Sequence, residues 1–175
     1  MYEKLSDRAR EAMHSATEQA RRFNHPQVSP EHVLLALVDQ SANVACDCLK
    51  EMGVDGRRLR LEIEKRMLSY ADPVGRGRLP LASRTKRLIE LAMNQVRTDR
   101  LPFIGAEHLL LGMFDLADRV VGEVLTLLGA TKERALAVLP SLVAAAGDRI
   151  AGQSVLDRPT LAHRLGCFVR KFRSN

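Results

Sequence analysis

The chain has 175 residues, a formal net charge of +6, 46% hydrophobic and 27% charged residues, enough for one compact core or two small ones; a multidomain motor or a large enzyme is excluded. Aromatics make up only 4%, with no Trp, while Leu, Ala, Arg and Glu dominate; these residues lose little rotamer freedom in a helix, so the composition predicts an all-α protein. Residues 148–175 carry +4 of the charge, leaving +2 on residues 1–147, too balanced for the basic face of a sequence-independent nucleic-acid binder, so a nucleic-acid partner is not expected of the body.

In chain order, Met1-Tyr2-Glu3-Lys4 lacks the apolar stretch of a secretory signal. Ser6 or Asp7 then caps a first helix whose Ala9, Ala12, Met13, Ala16 and Ala20 follow the three-four spacing, ending before Asn24-His25-Pro26. Ser29-Pro30-Glu31 opens a second helix, with a hydroxyl at the cap, Pro at the first helical position and an acid in the first turn. Val33, Leu34, Leu35, Leu37 and Val38 make that helix apolar nearly all round, which predicts the buried centre. A short third helix runs from about Asn43 to Met52 and stops at Gly53, and Asp55 caps a fourth with Leu59, Ile63 and Met67 inward and Leu68 at the margin. The stretch from Tyr70 to Pro80, with two Gly and two Pro, reads as a linker. The same order then returns as Ser83–Thr98, Ala106–Leu116, Arg119–Leu128 before Gly129, and Thr131–Ala146. The run from Ala135 to Gly147 is too short for a bilayer and contains Pro140, so no transmembrane segment is expected. Past Pro159, Thr160 can cap an amphipathic helix with Leu161, Leu165, Phe168 and Phe172 on one face and basic residues around it. That tail can fold back over the domain, bind an acidic partner or lie on an anionic membrane. Asn175, after this basic stretch, reads as an end rather than a cut before a motor.

The return is an internal repeat. An offset of 76 aligns Leu5–Ile63 with Leu81–Leu139 without a gap, at 15 identities in 59 positions, among them Arg8/Arg84, Gln19/Gln95, Glu31/Glu107, His32/His108 and Gly53/Gly129. The organisation that follows is a first copy at 1–69, a linker at 70–80, a second copy at 81–146 and a basic amphipathic tail at 147–175.

Chemistry-bearing residues are sparse. No Gly-x-x-x-x-Gly-Lys-Ser/Thr phosphate loop occurs, so the chain cannot be a nucleotide-driven motor. Cys46 and Cys48 point about 200° apart on a helix, which argues against a metal or redox pair, and with Cys167 they are too few and too oddly numbered for a disulfide framework. His32 and His108 lack the spacing of a zinc hydrolase and are read as core histidines that donate to a backbone carbonyl. No catalytic residues, metal or cofactor are expected. Glu31 and Glu107 are the better candidates for ligand contact, since each pairs a carboxylate with the free N–H groups of a helix start, a combination suited to a bipolar ligand with a guanidinium. The competing reading is that both merely favour their helix starts.

The opening Tyr2-Glu-Lys-Leu-Ser-Asp-Arg-Ala-Arg10, the paired Ser29-Pro-Glu-His-Val-Leu-Leu-Ala-Leu37 and Gly105-Ala-Glu-His-Leu-Leu-Leu-Gly-Met113, and Leu-x-x-x-Gly at 49–53 and 125–129 resemble the Clp repeat domain, the N-terminal region of ClpC- and ClpA-type protein unfoldases. The resemblance spans roughly residues 2–146 and implies two four-helix repeats about a pseudo-twofold axis. It also implies recruitment of substrates and adaptors to an ATP-driven ring that feeds a protease. In some relatives the glutamates matching Glu31 and Glu107 bind phosphoarginine, each after a Thr. Here Pro30 and Ala106 supply no hydroxyl, and Pro30 no N–H, so phosphate affinity is expected to be weakened, more at the first site. In actinobacterial relatives the starts of the first helices of both repeats form a pocket for cyclic peptide antibiotics; the matching positions are Tyr2, Leu81, Lys86 and Glu90, with Lys86 and Glu90 able to pair one turn apart. Tyr2 and Leu81 can equally just seal the core. The expectation is a cytoplasmic, non-catalytic module that delivers or sequesters Clp substrates, adaptors or cyclic peptides, the alternative being a regulator whose basic tail binds nucleic acid or an anionic membrane surface.

Overall fold

The computed structural model describes residues 2–40, 43–67, 77, 79–116 and 118–151, the side chains of Tyr2 and of 147–151 excepted; the proposed tail helix and most of the 70–80 linker lie outside them. After a 3-10 turn at Tyr2–Lys4, eight helices follow among the described residues: α1 Asp7–Arg22, α2 Pro30–Asp39, α3 Val44–Glu51, α4 Gly56–Glu64, α5 Ser83–Thr98, α6 Ala106–Asp115, α7 Arg119–Leu127 and α8 Lys132–Ala151. The all-α expectation holds, and among the described residues extended pairing is confined to two isolated bridges. None of these helices is long and apolar enough to cross a membrane.

Local chemistry sets the boundaries. The Ser6 hydroxyl accepts from the Ala9 N–H, the Asn43 side chain from the Cys46 N–H and the Asp55 carboxylate from the Arg58 N–H, each satisfying an amide the helix start would otherwise orphan. Gly53 and Gly129 end α3 and α7 at φ of +80° and +72°, the left-handed region that a Cβ disfavours. Alanine at either glycine is expected to cost about 1–2 kcal/mol, measurable by chemical denaturation. α4 ends at Glu64, earlier than the apolar spacing suggests, so Met67 reaches the core from the turn after the helix, and Leu68 lies outside the described residues.

The core is one continuous cluster centred on α2 and α6. Pro30–Leu37 and Ala106–Met113 are buried without interruption, as their all-round apolar character predicts. α1 packs on α2 and α5 on α6, while α3 packs on α8 and α4 on α7, so each copy covers the other's flank. Identities in the repeat recur as the same contacts: the Gln19 amide donates to Asp39 at 2.8 Å and the Gln95 amide to Asp115 at 3.1 Å. Cys46 and Cys48 are buried and unbridged, Cys48 against the Ala135 carbonyl, and burial pushes the Cys48 thiol up to about 12.

Candidate functional site

The two copies meet through reciprocal bridges. Leu5 pairs in parallel with Ile104, the Ser6 N–H donating to the Ile104 carbonyl at 2.9 Å and the Ile104 N–H to the Lys4 carbonyl at 2.7 Å. Val28 pairs likewise with Leu81, the Val28 N–H donating to Pro80 and the Ala82 N–H to Val28, both at 2.9 Å. Each bridge stands three residues before one of the two glutamates, so the Leu81 contact leads to Glu31 and the Tyr2–Lys4 turn to Glu107. Of the candidates that the sequence divides between two surfaces, Leu81 is thus joined through Val28 to the start of the Glu31 helix, and the backbone after Tyr2 to the start of the Glu107 helix.

Glu31 and Glu107 are both buried, at 5% and 3% exposure, in the first turns of α2 and α6. The sequence does not anticipate what surrounds them. The half-exposed Arg84 of α5 extends Nη1 to Glu31 Oε1 at 3.1 Å and, closer still, to the Asp118 carboxylate. Asp118 is itself the cap of α7, taking the Val120 and Val121 N–H groups on its other oxygen at 3.1 Å. Thr85 adds a buried hydroxyl bond to the Val28 carbonyl at 2.8 Å. Nothing local signals this network, since its members are 34 and 53 positions apart; the only hint is the repeat identity of Arg8 and Arg84.

The second junction is built differently. Its counterpart of Arg84, Arg8, pairs with Glu11 on its own helix at 3.0 Å, and Asp118 has no acidic counterpart at the matching position, Ala42. Glu107 folds back over its helix start: a Cβ at Gly105 would stand 2.3–2.5 Å from its carboxyl atoms. The first copy has Ser29 at that position, whose side chain fills the space, and Glu31 turns outward to Arg84 instead. One atom group at the cap thus decides which way the acid faces.

The two histidines correct the sequence reading: they accept from the backbone rather than donate to it. The Ser29 N–H donates to His32 Nδ1 at 2.9 Å and the Gly105 N–H to His108 Nδ1 at 3.0 Å, so each imidazole takes the part that Glu or Gln plays in a capping box. This fixes the proton on Nε2. His32 Nε2 meets His25 Nδ1 at 2.9 Å, whereas His108 Nε2 is buried with no partner among the described residues, because Leu101 stands where the first copy has His25. Burial, followed by the neighbouring His25 and Arg84, lowers His32 to about 3, and burial lowers His108 to about 4, so both are neutral at pH 7. Glu107 Oε1, 3.4 Å from His108 Nδ1, therefore faces a neutral ring.

Of the remaining candidates, Leu81 is partly buried against the core, and Lys86 and Glu90 are exposed. The expected Lys86–Glu90 pair does not form; Glu90 pairs at 3.1 Å with Arg87, which lies nearer on the same face. The side chain of Tyr2 lies outside the described set. A small apolar pocket of about 60 Å³ between α2, α3 and α4, lined by Val38, Cys46 and Leu49 among others, holds about two water volumes and is too small for a peptide. No group of three or more metal-ligating side chains occurs among the described residues.

Residues 4–128 match the family model of the Clp repeat (R) N-terminal domain. The chain is 35% identical over 136 residues to the chloroplastic chaperone protein ClpC1 of Oryza sativa subsp. japonica, a match covering 74% of this chain and 14% of that protein. It is 31% identical over 172 residues to the chloroplastic ClpC of Pisum sativum, covering 92% and 18%. The chain therefore spans less than a fifth of the length of these relatives. The crystal structure of the N-terminal domain of the caseinolytic protease associated chaperone ClpD from Arabidopsis thaliana superposes with a TM-score of 0.59 at 25% identity, covering 86% of this chain and 99% of that one.

Proposed function

Because the chain belongs to the Clp repeat N-terminal domain family, we propose that it is a non-catalytic module that recruits or sequesters protein substrates, adaptors or peptides destined for a Clp unfoldase ring. The observation that carries this reading is the pair of junctions, each joining an extended bridge to a buried carboxylate at a helix start, in a chain whose sequence has no phosphate loop. The pair divides the chain functionally as the repeat divides it: 1–69 and 81–146 each supply one glutamate, 70–80 links them, and 147–175, into which α8 continues as far as Ala151, is basic.

Glu31 and Glu107 are the proposed contacts for a guanidinium, borne by a basic side chain or by phosphoarginine with its phosphate poorly served by Pro30 and Ala106. Tyr2, Leu81, Lys86 and Glu90 are the proposed contacts for a peptide backbone or a cyclic peptide antibiotic. Glu31→Ala and Glu107→Ala are each expected to weaken binding of an arginine-phosphorylated protein in titration calorimetry, Glu107→Ala more, since Arg84 already draws on Glu31 and Pro30 lacks the N–H that Ala106 keeps. Absence of binding by the unmutated protein would leave both as helix-start residues. Pull-down from native lysate tests the wider reading: co-purified Clp components or their substrates support it, and nucleic acid released by salt would move the function to the basic tail.

A further inference from the structure

We infer that Arg84 is a resident competitor at Glu31, so that the first junction discriminates among cationic ligands by whether they displace this chain's own guanidinium. The inference rests on the recruitment reading and adds the residue that sets the selectivity of one of its two contacts.

The argument is one of charge and valence. Two carboxylates whose side chains are 6% and 1% exposed, Glu31 and Asp118, share one guanidinium, leaving a buried net charge of −1. The deficit is localised. Asp118 has donors on both oxygens, whereas Glu31 Oε2 is buried and meets no donor among the described residues. A buried carboxylate oxygen without a donor has lost its water without replacement, so a second cation reaching Glu31 recovers free energy that the ligand-free molecule forgoes.

Arg84 can yield without being stranded. Its closer contact is with Asp118, and its side chain is 52% exposed, so releasing Glu31 removes one of two ionic partners while the other and water remain. Asp118 therefore acts as a holding point: the more firmly it keeps Arg84, the more of Glu31 is left for a ligand. At the second junction the counterpart of Arg84, Arg8, is engaged by Glu11, and Ala42 stands in the sequence where the first junction has its second acid. A ligand guanidinium must thus outcompete Arg84 and its like charge at Glu31, and must turn the folded-back carboxylate at Glu107.

The test uses the full chain and a fluorescent peptide with one central arginine, with the citrulline peptide as the uncharged control, read by anisotropy at low salt. Arg84→Gln is expected to tighten arginine-peptide binding about tenfold, with little change for citrulline, by removing the competitor and its repulsion. Asp118→Asn, which keeps a capping oxygen for α7, is expected to weaken it about fivefold, since Arg84 then turns wholly to Glu31. Adding Glu31→Gln to Arg84→Gln should erase the gain. A folded Arg84→Gln protein that binds no tighter overturns the inference. If that variant fails to fold, unchanged or tighter binding by Asp118→Asn overturns it instead. No arginine preference in any variant also overturns it, while co-purification of Clp components by the unmutated protein would leave the recruitment reading standing.

Discussion

Alanine in place of Leu34, Leu35, Leu110 or Leu111 is expected to lower stability by about 2–5 kcal/mol at each position. These side chains are 0–4% exposed, on helices buried from end to end, and each neighbour is held by several others, so little of the created space can collapse. A loss of that size is a large fraction of the roughly 5–15 kcal/mol that holds a domain together, and a double Leu34→Ala/Leu110→Ala protein should be largely unfolded at 37 °C. Urea denaturation followed by circular dichroism measures it. Losses below about 0.5 kcal/mol at all four sites would show that α2 and α6 are not the core.

Acid should be nearly as damaging, and earlier in the titration than carboxylates alone would make it. His32 and His108 have folded values near 3 and 4 against an ordinary 6.5, so the unfolded chain takes up protons first as the pH falls. A depressed folded value means that the contribution is fully present above pH 6.5 and is lost progressively below it, until the folded form also titrates near 4 and 3. Each histidine then removes up to about 1.4 kcal/mol per pH unit, and the two together several kcal/mol by about pH 4.5. Burial is the main cause, and protonation would also set an N–H on Nδ1 against the amide that now donates to it. Urea midpoints at pH 7.5, 6 and 4.5 test this, with His32→Gln/His108→Gln as a non-titrating capping box expected to flatten the decline. Equal stability of the unmutated protein at pH 7.5 and 4.5 would refute it.

What could be read from the sequence was whatever is local or repeated. Ser6, Ser29, Asp55, Gly53 and Gly129 mark helix ends through bonds and torsions within a few residues, so their roles follow from spacing alone. The buried central helices announce themselves by having no polar face. The junctions do not, because Leu5 and Ile104, or Arg84 and Asp118, are joined only after both copies have folded. Even within one helix, spacing alone did not choose Arg87 over Lys86 as partner of Glu90, since both stand about one turn away. The histidines show a different limit: spacing places them correctly at the helix starts, but which nitrogen carries the proton depends on whether an amide reaches the ring.

The reciprocal bridges also bear on the order of events at the ribosome. Leu5 lies about a hundred positions from its partner Ile104, a closure whose entropic cost only the completed core can offset. The first copy cannot settle its own beginning until the α5–α6 connection has emerged, so for about 5–20 s at about 5–20 residues per second the nascent chain presents Leu5 with its backbone partner still unmade. The two copies share one core cluster, so a chain halted between them leaves the apolar residues of the first copy without the second copy's cover.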